Sequence, residues 1–257
     1  MTTRRVAHVM GLPVTLALRG RHTTDERADA AWTRVIESLR EADRTFSTYR
    51  DDSEVSRINR GELRLDDAST DVREVLTLGA EAKRESGGAF DVWRSDDRGG
   101  RWLDPSGVVK GWAVERAAAV LEDLDSTDFC LSAGGDMVCR TVVPAAEPWR
   151  IGLEDPHDPR QLMGVVPIMN GAIATSGTTH RGQHLVDART GHAPVGVASV
   201  TVVTTSLTWA DIDATAAYAR GADAARWLEG RPDRTALVTW RDGTTTTVRT
   251  APGDRAA

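Results

Sequence analysis

The segment DFCLSAGGDMVCR, residues 128–140, sets two short apolar runs on either side of Gly134-Gly135-Asp136. Apolar runs bounded by glycine and aspartate are typical of strands, and paired glycines adopt the positive φ angles of a tight turn. We therefore predict strands over 128–133 and 137–143, joined by this turn. Such glycines also let a backbone approach a ligand closely, and Asp136 could then accept hydrogen bonds from a heterocycle or a ribose.

Helical patterns precede this hairpin and strand patterns follow it. Apolar residues at helical spacing predict helices over about 25–45, 70–85, 108–124, 208–219 and 222–229. Residues 5–19 fit a strand or a hairpin arm, and further strands are predicted over 149–153, 163–168, 171–175 and 199–204. A hairpin turning at Asp242-Gly243 follows, while 46–61 is a polar segment and 93–107 a predicted loop. This order predicts an α+β fold, with mixed or antiparallel sheets packed with helices.

The composition is that of a folded globular protein. The 257 residues are 40% hydrophobic and 27% charged, which excludes a disordered chain, a collagen and a coiled coil. No stretch reaches the ~18–20 apolar residues of a membrane-spanning helix. The net charge of −6 disfavours a nucleic-acid-binding surface, because such surfaces are basic. We therefore expect no nucleic-acid partner and no membrane insertion.

The first residues and the cysteines bear on the compartment. Gly11 and Pro13 interrupt the apolar residues near the start, and no signal-peptide cleavage pattern follows. Cys130 and Cys139 are the two cysteines, and their spacing matches neither a zinc site nor a disulfide framework. We expect a cytoplasmic protein with reduced thiols.

Lysine is rare in this chain, since only Lys83 and Lys110 among 32 basic residues are lysines. Lys110 lies in SGVVKG, residues 106–111, where Ser106 and Gly107 open a predicted helix. Free N–H groups and the dipole at a helix start attract phosphate, and a nearby lysine adds positive charge. The pattern of a Walker loop is absent. An ordinary helix start with an exposed lysine also fits the spacing.

Two later segments carry further candidate chemistry. ATSGTTHRGQHLVDARTGHAP, residues 174–194, holds three of the six histidines. It fits a polar loop or a loop that supplies a general base; a Ser–His acyl-transfer pair is a weaker match, because GxSxG is absent. In TWADIDATAAYA, residues 208–219, Asp211 and Thr215 share one helix face and Asp213 points elsewhere. That pair is either half of an oxygen site for Mg²⁺ or, for Asp211, a favourable charge near a helix start.

In their order along the chain, these segments resemble the ApbE-type flavin transferases, which move FMN from FAD onto a protein side chain. The resemblance covers residues from about 8 to 221. The matching segments are FSTYRDDSEVSRIN (46–59), GGAFDV (87–92), SGVVKGWAVERA (106–117), SAGGD (132–136), IATSG (173–177), HLVDARTG (184–191) and WADIDATA (209–216). The resemblance implies a single two-lobed flavin transferase domain over 1–250, followed by a tail over 251–257.

The resemblance also implies roles for particular residues. Asp211 and Thr215 are the expected side-chain ligands of Mg²⁺, with the Gly107 carbonyl as main-chain ligand. His184 is the expected base for the acceptor hydroxyl, and Lys110 is a second expected catalytic residue. The expected contacts to FAD are Met10, Asn59, Asp91, Lys110, Gly134, Gly135, Asp136, Ser176 and Gly177.

The implied activity is Mg²⁺-dependent FAD:protein FMN transfer. FMN would pass from FAD to a Thr or Ser of an acceptor flavoprotein through a phosphoester bond, with release of AMP. Two alternatives stay open: an FAD pyrophosphatase that yields FMN and AMP, and a flavin-binding protein without catalysis. FAD and the acceptor flavoprotein are the expected partners.

The chain departs from the family pattern in several places. The family pair Asp-Pro is Asp187-Ala188 here, and the usual aspartate after the lysine is Glu115. Ser106-Gly107 stands where the family has two glycines. The segment after GGAFDV is rich in Arg and Asp, where the family often has T-V-G-P-L. That last departure bears most directly on how substrate is held.

Overall fold

The computed structural model describes residues 2–95, 99–177 and 185–251. In these ranges the helices are α1 (Glu26–Phe46), α2 (Glu54–Asn59), α3 (Thr70–Glu85), α4 (Ser106–Ala119), α5 (Leu207–Ala219) and α6 (Ala224–Glu229). The strands are β1 (Thr3–Val9), β2 (Leu12–Gly20), β3 (Trp93–Ser95), β4 (Arg101–Leu103), β5 (Thr127–Ala133), β6 (Asp136–Arg140), β7 (Trp149–Glu154), β8 (Leu162–Ile168), β9 (Gly171–Gly177), β10 (Val197–Thr204), β11 (Thr235–Trp240) and β12 (Thr245–Arg249).

One large sheet organises the described residues. Its eight described strands have the order β1-β2-β5-β6-β9-β10-β11-β12, and neighbouring strands are antiparallel. The pairs β3–β4 and β7–β8 form two separate hairpins. The predicted α+β fold with antiparallel sheets is therefore confirmed.

Different elements cover the two faces of the sheet. Successive side chains of a strand point to opposite faces, so neighbouring residues of β5 show what packs on each side. On one face Leu131 and Ala133 of β5 join the main core with the helices. On the other face Cys130 packs in a smaller cluster with Trp149 and Ile151 of the β7–β8 hairpin. Helices thus occupy one side of the central strands, and a hairpin occupies the other.

Local sequence accounts for where several helices begin. An aspartate or serine before the first turn accepts a hydrogen bond from a free backbone N–H, which satisfies a group that the helix itself leaves unpaired. These N-cap residues are Asp25, Ser53, Ser69 and Ser206. Helix α5 is buried along nearly its whole length, so its position is fixed from all sides.

The structure corrects two stretches of the prediction. The polar segment 46–61 contains α2, which spans six residues and buries only Val55, too little to produce a periodic apolar pattern. The predicted loop 93–107 contains β3 and β4, each of three residues, which is too short for alternation to be visible. Helix α4 ends at Ala119 and continues as a 3₁₀ helix over Val120–Asp123.

None of the helices in the described ranges combines the length and apolar character needed to cross a membrane.

Candidate active site

The Lys110 ammonium lies between two buried carboxylates. It forms an ion pair with Asp136, and its Nζ is 3.2 Å from Asp211 Oδ1. Asp136 and Asp211 are 1% and 2% exposed. Burial alone would lower the pKa of Lys110, but the attraction of Asp211 and Asp136 raises the pKa above its usual value. The lysine therefore stays protonated and supplies a fixed positive charge.

Asp136 is held by the sheet as well as by the lysine. It opens β6 directly after the Gly134-Gly135 turn, and its Oδ1 accepts a hydrogen bond of 3.1 Å from the backbone N–H of Thr175 in β9. Both carboxylate oxygens are therefore engaged. This arrangement fixes the lysine with respect to the sheet.

Asp211 reaches the same point from α5. Its Oδ2 accepts a hydrogen bond of 3.0 Å from the backbone N–H of Gly111 in α4. Burial raises the pKa of Asp211 to about 7, with Lys110 opposing and Asp136 adding to the rise. A carboxylate with this pKa gains from any further positive charge placed beside it.

Thr215 lies one helical turn beyond Asp211. Its hydroxyl and the Ser176 hydroxyl in β9 are 2.9 Å apart and share a hydrogen bond. Gly107 in the first turn of α4 is close by, since a Cβ there would lie 3.9 Å from the Thr215 methyl group. The structure thus brings together the three residues expected to bind a metal and one of the residues expected to contact FAD.

The donor set suits a hard cation. In the described ranges no three His, Cys, Asp or Glu side chains gather into a metal-binding group, so a metal here would depend on mixed oxygen donors. Asp211 offers a carboxylate, Thr215 a hydroxyl and Gly107 a carbonyl, all of them oxygen ligands of the kind that Mg²⁺ prefers. Because Mg²⁺ usually keeps several waters and substrate phosphates as further ligands, a site with few protein oxygens is compatible with it.

Two hairpin turns lie at the same end of neighbouring strands. Met10 and Gly11 join β1 to β2 with φ angles of 57° and 68°, and Gly134 and Gly135 join β5 to β6 with φ angles of 58° and 97°. The backbone N–H of Gly134 donates to the Pro13 carbonyl over 3.2 Å, which ties the two turns together. Asp136 follows directly after the second turn, so that turn lies beside the carboxylate that holds Lys110.

Two of the expected FAD contacts have structural partners within the chain. Asn59 exchanges hydrogen bonds of 2.9 and 2.7 Å with the backbone of Leu103. Asp91 accepts a hydrogen bond from the Trp93 N–H and forms an ion pair of 2.7 Å with Lys83. Asn59 therefore fixes the strand that leads into α4, and Asp91 is paired with the second lysine of the chain.

The expected base, His184, lies outside the described residues. The described chain resumes at Leu185, and the following turn is docked against the GGAFDV segment, because the Ala188 N–H donates to the Ala89 carbonyl over 3.0 Å. Arg189 closes the turn on Asp187 through an ion pair of 2.7 Å. Gly177, the last described residue before His184, pairs with Ser199 of β10.

Sequence reasoning missed the packing roles of two glycines and the hydrogen bonds of Glu115. A Cβ at Gly111 would lie 2.8 Å from the Leu207 carbonyl, and one at Gly107 would lie 2.9 Å from the Phe90 ring. Glu115 accepts hydrogen bonds from the Ser206 hydroxyl and the Thr208 N–H, each of 2.9 Å. The four-residue spacing of the two glycines was the available signal, since it places both on one face of α4.

The expectation for Asp213 is confirmed. Its side chain is fully buried and faces Arg231 and Arg234, with Oδ2 2.6 Å from the Arg234 Nε. It therefore belongs to a structural ion-pair group and not to the cluster around Lys110.

Known proteins resemble this chain in sequence over a portion of their length. The Vibrio cholerae protein named FAD:protein FMN transferase is 31% identical over 121 residues, which is 43% of this chain and 36% of that protein. The Escherichia coli K12 protein of the same name is 27% identical over 153 residues, 55% of this chain and 43% of that protein. The matches thus span less than half the length of these relatives.

The whole fold resembles solved structures. The ApbE protein from Thermotoga maritima aligns with a TM-score of 0.83 and 19% identity, over 97% of both chains. The flavin transferase ApbE from Vibrio cholerae aligns with a TM-score of 0.81 and 22% identity, over 97% of this chain and 98% of that one. A sequence model of the ApbE family matches residues 10–95 and 94–238. Because these ranges cover most of the chain and include the cluster around Lys110, the protein belongs to the ApbE family.

Proposed function

We propose that the protein is a Mg²⁺-dependent FAD:protein FMN transferase. The observation that carries this proposal is the convergence of Lys110, Asp136 and Asp211 beside the Ser176–Thr215 hydroxyl pair. A fixed positive charge next to hard oxygen donors suits a substrate that carries a pyrophosphate. The proposed reaction is the one stated in the names of the relatives, and the cluster contains groups that suit this reaction.

In the proposed reaction the acceptor hydroxyl oxygen attacks the phosphorus of the FMN half of FAD. The bond from that phosphorus to the bridging oxygen breaks, and AMP leaves with the bridging oxygen. His184 is the proposed base that takes the hydroxyl proton. Met10, Gly134 and Gly135 are proposed to line the flavin, while Ser176 and Gly177 lie at the end of β9 where the phosphates would be held.

Lys110 orients the two carboxylates and keeps a positive charge near the phosphates. Asp211, Thr215 and the Gly107 carbonyl are the proposed ligands of Mg²⁺. When bound, Mg²⁺ supplies charge neutralisation for the AMP leaving group. The Ser176 hydroxyl lies 2.9 Å from the Thr215 hydroxyl, and a hydrogen bond donated by Thr215 would leave the lone pairs of its oxygen free for the metal.

We further propose a cytoplasmic location, an acceptor flavoprotein in the same compartment, and a domain boundary at 250 with a tail over 251–257. Cell fractionation tests the location. A chain shortened after residue 250 tests the boundary, because it should unfold at the same temperature as the full chain. A large fall in Tm would place the tail inside the folded domain.

The decisive experiment is mass spectrometry after the protein is incubated with FAD, Mg²⁺ and Thr-containing acceptor proteins or peptides. We expect an acceptor heavier by one FMN, AMP released in equal amount, and loss of both products with EDTA. The Asp211→Asn variant should give neither product. The Asp66→Asn variant is the matched control, because the Asp66 side chain is 86% exposed.

Other products would contradict the transferase proposal. Free FMN and AMP, with no mass gain on any acceptor, would indicate hydrolysis with water as the acceptor. Intact FAD bound to the protein in every reaction would indicate a flavin-binding protein without catalysis.

A further inference from the structure

The two cysteines face each other across neighbouring strands. Cys130 of β5 pairs in register with Cys139 of β6, and their Sγ atoms are 3.6 Å apart. Both thiols are free. They lie on the face of the sheet that the β7–β8 hairpin covers, opposite the helices and outside the cluster around Lys110.

The backbone at this pair has the spacing of a disulfide. The Gly134-Gly135 turn makes Ala133 and Asp136 a hydrogen-bonded pair. Hydrogen-bonded and non-hydrogen-bonded pairs alternate along an antiparallel ladder, so Cys130 and Cys139 form a non-hydrogen-bonded pair. Cα atoms of such pairs are about 4.5 Å apart, within the range that disulfides span. The sulfurs need only approach each other, because the strands are already in place.

The two thiols differ in access and in reactivity. Cys130 is 8% exposed and Cys139 is 1% exposed, so a small oxidant reaches Cys130 first. The Cys139 thiol donates to the Cys130 sulfur, and this hydrogen bond lowers the pKa of Cys130, with Arg4 and Arg19 adding to the effect. The same hydrogen bond and burial raise the pKa of Cys139.

We propose that Cys130 and Cys139 form a redox-active dithiol that closes to a disulfide when it meets a peroxide. Cys130 Sγ attacks a peroxide oxygen, which gives a sulfenic acid on Cys130 and one water. Cys139 Sγ then attacks the Cys130 sulfur and displaces hydroxide, which leaves with the Cys139 proton as a second water. One hydrogen peroxide is reduced to two waters, and two thiols are oxidised to one disulfide.

The bond would close a ring that contains the Gly134-Gly135 turn and Asp136. Because the strands already have disulfide spacing, the ring should resist opening of the hairpin without displacing Asp136. We therefore expect oxidation to raise Tm. This inference is independent of the proposed transferase activity.

The test treats the folded, reduced protein with hydrogen peroxide, removes the oxidant with catalase, and then alkylates the denatured protein. We expect a mass lower by about 2 Da and the loss of both alkylation sites together, with one cross-linked peptide that contains both cysteines. In Cys139→Ser, dimedone should trap a sulfenic acid on Cys130 and no cross-link should form. In Cys130→Ser, Cys139 should stay alkylatable.

A second measurement does not depend on whether an oxidant can reach the buried thiols. The protein is refolded in a glutathione redox buffer, where the thiols are exposed before the hairpin closes. We expect the same cross-link. Two alkylatable thiols after both treatments, or oxidation of Cys130 to sulfinic acid without a cross-link, would overturn the proposal.

Discussion

Asp211 is a buried carboxylate, and both of its oxygens face hydrogen-bond donors. The side chain is 2% exposed, accepts from the Gly111 N–H and faces Lys110. Burial raises its pKa to about 7, while the attraction of Lys110 favours its charged form. The proposed binding of a cation would account for a carboxylate at a position where ionisation is costly.

Replacing Asp211 with asparagine should impair both metal-dependent activity and stability, and the loss of activity should be much the larger. We expect Asp211→Asn to lower kcat by at least about 100-fold, because an amide is a poor ligand for Mg²⁺. Tm should also fall, because Oδ1 faces the Lys110 ammonium and Oδ2 accepts from the Gly111 N–H, and an amide has an oxygen for only one of these donors. Steady-state kinetics and calorimetric titration with Mg²⁺ check this, with Asp66→Asn as control. Wild-type kcat in the variant would show that Asp211 is not a metal ligand.

Asn59 illustrates a predicted site residue with a second role. Its amide bonds both backbone groups of Leu103, which is fully buried. Asn59→Ala would leave the buried N–H of Leu103 unpaired, and we expect the free energy of unfolding to fall by about 2–3 kcal/mol. Urea unfolding measures this loss. Unchanged stability together with a raised KM for FAD would show that Asn59 acts only through the substrate.

At the scale of elements, the site depends on how closely α4 and α5 approach. Gly111 allows the contact, because a Cβ there would lie 2.8 Å from the Leu207 carbonyl and 2.9 Å from Asp211 Cβ. Gly107, in the preceding helical turn, leaves room for the Phe90 ring, which a Cβ there would approach to 2.9 Å. The two helices thus bring Gly107 close to Thr215 and Gly111 close to Asp211.

We expect Gly111→Ala to separate these helices. The added methyl group should cost about 1–3 kcal/mol of stability through overpacking, more than the roughly 1 kcal/mol that alanine gains in a helix. It should also weaken Mg²⁺ binding, because Asp211 is displaced. Gly164→Ala is the control, since a Cβ at Gly164 would meet nothing within 4 Å. Equal stability of the two variants would show that the helices adjust without cost.

For the whole molecule, the candidate metal site links α4 and α5, so the metal should stabilise the entire fold. A ligand that binds only the folded state stabilises by about RT ln(1 + [L]/Kd). We expect Tm to rise with Mg²⁺ concentration and to return to its starting value with EDTA. Differential scanning calorimetry checks this. An equal rise in Asp211→Asn would show that Mg²⁺ binds elsewhere.

The sequence predicted most of the architecture because long periodic segments carry their own signal. Helix α3 falls close to its predicted bounds because it buries one face at helical spacing. Strands β5 and β10 were recognisable because they are short runs buried on both faces. Helix α2 and the β3–β4 hairpin were missed because they bury too few side chains to leave a pattern. The residues of the cluster were named from the sequence, but the use of Lys110 to join two carboxylates depends on the packing of three distant segments.

The two lysines carry the side-chain amines of this chain, so amine-directed reagents can label few positions. Thirty of its 32 basic side chains are arginines, and the two side-chain amines each face an aspartate that was predicted to belong to the site. Lys83 is 49% exposed and Lys110 is 17% exposed. An amine-directed label should therefore react at Lys83 before Lys110. The rate at which Lys110 is labelled should fall when a ligand occupies the space around Asp136 and Asp211.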